Sequence, residues 1–147
     1  MAKEEQKKLL TEIMDADSKD GLYKQQTALE FIPYQEALEL KELGFDEGCF
    51  GYYHEDGSIS FTGVTIQNTN SFWLASPNKI FTAPLYQQAF RWFRDKYEAQ
   101  VAVLPYSNKV QVAIRCERQV TDLDSFYTYE EAELACLNKL IEIVKNK

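Results

Sequence analysis

The side chains that could do chemistry in this chain crowd into one short stretch, Asp46-Glu47-Gly48-Cys49-Phe50-Gly51-Tyr52-Tyr53-His54-Glu55-Asp56. His54 is the only histidine among the 147 residues, so any imidazole base or imidazole metal ligand must be this one. Cys49 lies just upstream and would be the nucleophile of a Cys–His pair. That pair needs a third group to orient the imidazole, and no residue stands at a recognisable spacing to supply it. Glu55 and Asp56 could join His54 on a metal ion, but adjacent residues at a hairpin tip diverge, and the ligand spacing of structural zinc sites is absent. The acid pairs Asp46-Glu47 and Glu55-Asp56 flank turns, where both carboxylates stay solvated; acid–base work requires environments that drive their pKa values apart. No phosphate-cradling loop and no nucleophile elbow occurs. The expectation is a chain without a catalytic constellation, hence not an enzyme, with no metal and no cofactor.

The aromatic residues are the stronger functional lead. Tyr52 and Tyr53 are neighbours in a strand-like run, so they point to opposite faces and one of them reaches solvent. Phe72 and Trp73 repeat that arrangement. Trp92 falls on the flank of a helical stripe beside Arg91, Arg94 and Lys96, whose charges Asp95 and Glu98 offset. The candidate interaction surface is therefore Tyr52, Tyr53, His54, Glu55, Asp56, Trp73 and Trp92. Exposed rings on a sheet anchor protein interfaces or stack the bases of single strands.

Charge decides between those uses. The formal net charge is −7, against the clustered Lys and Arg that a nucleic-acid backbone demands. Residues 33–83 carry seven acids and two lysines, whereas residues 84–127 carry six bases and five acids. The acidity thus belongs to the first helix–hairpin stretch, and nucleic acid is the disfavoured partner. A protein partner, or another copy of the chain, is the expected one.

Hydrophobic residues make up 45% and aromatics 14% of the chain, which favours a packed core over disorder. No apolar run approaches the roughly 20 residues of a membrane span, and the charged Met1-Ala2-Lys3-Glu4-Glu5 start is unlike a signal peptide. No membrane association and a cytoplasmic location follow as expectations. Cys49, Cys116 and Cys136 are odd in number and lack CxxC spacing, as befits buried reduced thiols.

Three helix starts organise the elements that position these groups. Tyr34-Gln35-Glu36-Ala37, Tyr86-Gln87-Gln88-Ala89 and Tyr129-Glu130-Glu131-Ala132 each put a tyrosine and an alanine on one helical face. Pro33 and Pro84 suit helix entries, Gly44 suits a stop, and Thr128 with Glu131 forms a capping box. Between the helices, residues 50–61 read as a hairpin with Asp56-Gly57 at its turn. Val64-Thr65-Ile66 and Phe72-Trp73-Leu74 read as further strands. Val101–Leu104 and Val110–Cys116 read as a second hairpin around a Pro105–Asn108 turn. Residues 3–16 read as an N-terminal helix. The predicted fold is α+β: antiparallel hairpins packed by three helices in the order α-ββ-α-ββ-α, plus the N-terminal helix. Residues 1–26 form that helix and a linker, and residues 27–147 a single domain.

With these segments in place, the chain resembles a group of small proteins encoded by phages and mobile elements of gut Bacteroidota. The resemblance rests on the run from Tyr34 to Glu47, on Cys49-Phe50-Gly51-Tyr52-Tyr53, on Ala83 to Tyr97, and on Thr128 to Val144. The related chains carry Pro where this one has Gly48. The resemblance implies a phage or prophage context in a bacterial cytosol and brings no activity and no site residues with it. The leading expectation is a non-enzymatic accessory module that binds a macromolecule or assembles with itself. The alternatives are an anti-defence protein, acting as an acidic mimic of nucleic acid or by sequestering a nucleotide signal, and a single-strand nucleic-acid binder.

Overall fold

The computed structural model describes residues 3–7, 29–61 and 80–147. The expected strands at 64–66 and 72–74, Trp73 and the linker at 17–26 lie outside the described residues, as does the rest of the expected helix beyond residue 7. Residues 3–7 are helical. The chain forms two compact units, Met1–Leu85 and Tyr86–Lys147.

In the first unit, helix α1 (Tyr34–Glu42) packs on a three-stranded antiparallel sheet of β1 (Gly51–Tyr53), β2 (Ile59–Phe61) and β3 (Phe81–Ala83). The strand order is β2-β1-β3, with Tyr52 opposite Ser60 on one side and Thr82 on the other. Pro33 is the N-cap, with φ −64° and ψ 162°, so the ring that cannot donate sits where no helical donor is needed. Gly44 ends the helix at φ 95°, the left-handed conformation a Cβ disfavours. The Ala37 and Leu40 side chains and the Phe45 ring that follows are 0–1% exposed, which marks the helix face turned inward. Gly51 is required by close approach: a Cβ there would meet Phe31 Cε1 at 2.9 Å. Phe31 makes an antiparallel bridge to Leu85, and Ile32 N donates to Pro84 O at 2.9 Å.

In the second unit, α2 (Tyr86–Tyr97) leads into a meander of β4 (Ala99–Tyr106), β5 (Lys109–Cys116) and β6 (Gln119–Phe126), and α3 (Tyr129–Lys145) closes the chain. The expected second hairpin is therefore a three-stranded sheet. Pro105 is a strand residue rather than part of the turn, which shrinks to Ser107-Asn108. Its missing N–H is tolerable because β4 is an edge strand. Alternation along β5 is strict: Val112, Ile114 and Cys116 are buried, and Gln111 and Arg115 are exposed. Helix α3 packs across all three strands, and its Cys136, Leu137 and Leu140 are fully buried. Removing each such aliphatic side chain from water contributes about 1.5–3 kcal/mol. Thr128 caps α3, its Oγ1 accepting from Glu131 N at 3.2 Å.

Helices α1, α2 and α3 begin at the tyrosines of the repeated tetrad, and the tetrads' alanines, Ala37, Ala89 and Ala132, are buried to within 1%. The tyrosines diverge. Tyr86 is buried, Tyr34 is half-buried, and Tyr129 is 46% exposed, contrary to a common packing role.

Candidate functional site

The hairpin tip of the first unit is built from its turn outward. His54 N donates to Ser58 O at 2.9 Å and Gly57 N to His54 O at 3.0 Å, with Gly57 at φ 87°. Asp56 Oδ1 accepts from Ser58 Oγ at 2.6 Å and from Ser58 N at 2.9 Å. Those hydrogen bonds, side chain first and backbone second, favour the carboxylate and hold Asp56 below the usual aspartate range. Behind the turn, His54 Nε2 lies 2.7 Å from Ser60 Oγ, and the Tyr52 ring stands edge-on to the imidazole at 5.2 Å.

A serine hydroxyl against an imidazole is the first half of a nucleophile–base unit. The second half is an acid that orients the ring, and Asp56 is engaged with Ser58. Cys49, the other nucleophile expected from sequence, is buried, and its Sγ donates to Glu47 O at 3.5 Å, while the His54 imidazole is paired with Ser60. Among the described residues no group of three or more His, Cys, Asp or Glu is placed to hold a metal ion.

Tyr52 and Tyr53 point to opposite faces as the sequence implies, but only Tyr52 retains access to solvent. Tyr53 is 3% exposed, donates its hydroxyl to Ile32 O at 2.7 Å, and packs with Tyr34 and Phe81. Burial, with the nearby Glu36 adding, raises its phenol well above the ordinary value. Glu55 and Asp56 are exposed. Trp92 is not a surface residue: it is 5% exposed, edge-on to Phe93 and Tyr97, with Lys96 Nζ 4.8 Å from its ring centroid. Helical spacing explains this, since Trp92 follows the buried Ala89 by three positions. Tyr53 and Trp92 thus leave the candidate surface, and Tyr52, His54, Glu55 and Asp56 remain on it.

The larger candidate surface lies in the second unit, on the meander face opposite the buried parity of β5. Register places Leu104 beside Gln111, Tyr106 beside Lys109, and Arg115 between Gln100 and Val120. Leu104, Tyr106 and Val120 are 59%, 66% and 64% exposed, and Tyr127, just past β6, is 74% exposed. Lys109 Nζ stands 5.2 Å from the Tyr127 centroid, so a cation sits in the row that ends in the two tyrosines. Asp122 and Asp124 supply the opposite charge on the same strand parity. Both sheet edges carry features that discourage strand pairing: Pro105 on β4, and the aspartates and a register shift on β6. Sequence reading missed this face because it passed over β6. The alternation that buries Val112 and Ile114 was nevertheless visible, and it implies an outward parity through Gln111.

Two clefts border β4 in the same unit. One, of about 350 Å³, is walled by Gln87, Phe90 and Arg94 of α2 and floored by Val101 and Val103, with Tyr129 at its end. The other, of about 360 Å³, is lined by Arg94, Glu98, Gln100, Arg115 and Glu117. Lys147 Nζ pairs with Glu117 Oε1 at 2.7 Å, and that bond depresses the Glu117 carboxyl.

No protein-family model matches the chain, and comparison with curated proteins and with solved structures gives no match. The reading of the site therefore rests on its geometry alone. The class it defines is an α+β protein, with two three-stranded antiparallel sheets and helices against them among the described residues. No described helix is long and apolar enough to cross a membrane.

Proposed function

We propose that the chain is a non-catalytic accessory module that binds a protein partner through the outer face of the β4-β5-β6 meander. The observation that carries this reading is the exposure of Leu104, Tyr106, Val120 and Tyr127 on and beside one face of one sheet. Singly exposed apolar residues are ordinary on any surface, but four large ones within a three-stranded sheet and its rim are an anchor set. Three strands of eight residues present roughly 400 Å² at standard strand spacing and rise, about half of what each partner buries in a stable interface. That size fits a transient partner, or one that also contacts the rim, better than a tight homodimer. Lys109 and Arg115 interleaved with Asp122 and Asp124 give the face charges of both signs, which suits a protein and not a polyanion. The resemblance to phage-encoded chains supplies the accessory context.

The test is a paired measurement on Leu104→Glu/Tyr106→Glu and the parent chain. Both keep the same far-ultraviolet circular dichroism and melting cooperativity, because both positions are exposed. A partner recovered with the parent chain is lost with the variant. Equal recovery by both overturns the assignment of the face. A parent chain that sediments as a dimer and a variant that sediments as a monomer would make the partner a second copy.

A further inference from the structure

We infer that the free edge of β4 and the facing stripe of α2 form a groove for an extended peptide segment bearing a carboxylate. This is a second site, on the edge and inner side of the sheet, and its polar end wraps round the edge to Gln100 and Arg115 of the outer parity.

The first observation is an incomplete seal. The inner face of the meander is closed at its centre, where Val112 and Ile114 are 2% and 0% exposed. Val103 and Val101, their partners across the β4–β5 ladder, share that inner parity yet are only half-buried. The helices therefore cover β5 and leave β4 partly open, and the cleft of about 350 Å³ is that opening. Its volume lies within the range of small-ligand pockets. Its far wall is regular: residues 87, 90 and 94 recur at three and four positions, so Gln87, Phe90 and Arg94 stack along one side of α2.

The second observation is an unpaired backbone edge. Among the described residues β4 pairs with β5 and with no other strand. An extended chain laid along that edge satisfies the outward amides and carbonyls and drops every second side chain towards Val101, Val103 and Phe90. Pro105 sets the far limit, because it has no N–H to offer, so the usable edge runs from Gln100 to Leu104.

Charge completes the recognition. Arg94 and Gln100 line both clefts, so the apolar slot continues into the polar one. Arg94 and Arg115 line that cleft together with Glu98 and Glu117, and Glu117 is held by Lys147. Arg94 has a loose contact with its neighbour Asp95 at 3.7 Å, and Arg115 makes no ion pair among the described residues. A carboxylate at the end of an otherwise apolar extended segment matches this gradient; guanidinium groups bind it bidentately. The carboxylate can be the peptide's C-terminus or an Asp or Glu side chain.

The experiment selects random heptapeptides with free C-termini against the full chain. The enriched sequence is then synthesised with an N-terminal fluorophore, as the free acid and as the C-terminal amide. The expected peptides alternate apolar and polar positions. Gln87→Trp, at an exposed helix position, fills the groove without touching the core and weakens binding about ten-fold or more; Arg94→Glu weakens the free acid comparably. Asn138→Glu, at an exposed position of α3 outside both clefts, leaves affinity unchanged. Loss on amidation assigns the carboxylate to the chain end, and its retention, with loss on Asp→Asn or Glu→Gln within the peptide, assigns it to a side chain. Bound peptide slows amide exchange at residues 100–104. No enrichment, undiminished binding to Gln87→Trp, or exchange protection elsewhere than β4 overturns the inference.

Discussion

Val110 of β5 pairs with Phe126 of β6, although Val112, two residues on, pairs with Leu123. One extra residue in β6 is therefore accommodated opposite Gln111, and parity along β6 inverts there. Leu123 and Phe126 both lie on the half-buried side, and Tyr127 emerges on the exposed one beside Lys109. The irregularity is what puts an aromatic ring on the outer face and keeps its neighbour off it.

Deleting Ser125 removes the extra residue, restores an unbroken two-residue period, and leaves Phe126 opposite Val110 on the inward side and Tyr127 on the outward one. The deletion is therefore expected to change the stability of the second unit by less than about 1 kcal/mol, because neither ring changes face. Urea unfolding with intrinsic fluorescence measures it. A loss of about 2 kcal/mol or more, the size expected for moving a buried ring to the surface, would mean that Ser125 is not the residue the register shift accommodates.

Two hairpin loops carry a non-glycine residue at positive φ: Ser107 at 58° and Glu117 at 56°. Left-handed backbone costs an L-residue about 1–2 kcal/mol, most of which glycine avoids. Ser107→Gly should raise the melting temperature by roughly 2–4 °C, after the extra unfolded-state entropy of glycine is set against the relief. Glu117→Gly should gain less, because it also removes the partner of Lys147. A lower melting temperature for Ser107→Gly contradicts the assignment.

Burial, with Glu133 adding, pushes the Cys136 thiol from 9.0 up to about 12. In the unfolded chain the thiol ionises first, so its stabilising contribution is complete below pH 9 and is lost as pH rises towards 12. Cys136→Ala should therefore lose about 1 kcal/mol at pH 7 from the vacated volume and show a flatter decline between pH 9 and 10. The window stops there because the raised Tyr53 phenol adds the same sign of effect above its ordinary value of 10.0. Urea midpoints at pH 8, 9 and 10 provide the comparison, and parallel curves for the two proteins would refute it.

The His54–Ser60 contact is read as a structural hydrogen bond of the hairpin. Ser60→Ala should lower stability by about 1 kcal/mol, and a fluorophosphonate probe should leave the parent Ser60 unlabelled. Labelling of Ser60 at neutral pH would instead identify an activated nucleophile.

Local signals were read from the sequence where local physics decides them. Pro33, Gly44 and Thr128 mark helix ends because caps are settled within a few residues. The Tyr52/Tyr53 split follows from strand period alone. What escaped depends on neighbours distant in sequence. Phe81-Thr82-Ala83 shows no alternation because all three residues are buried. Strand β6 hides behind Asp122, Asp124 and its register shift, each of which breaks the pattern that betrays a strand. Pro105 reads as a turn until its strand is known to be an edge. The outer face was half legible: Leu104 and Gln111 fall on the outward parity, but Val120 and Tyr127 join them only once β6 is in place.

A photoreactive benzophenone side chain at Tyr106 tests the central claim most directly, with the same group at Arg91, an exposed position on α2, as the control. Irradiated with lysate of the cell in which the chain is made, the Tyr106 probe should yield one discrete protein adduct that the Arg91 probe does not. That adduct should vanish when Leu104→Glu is combined with the Tyr106 probe. No adduct at Tyr106, or the same adducts from both positions, would contradict a docking role for the meander face.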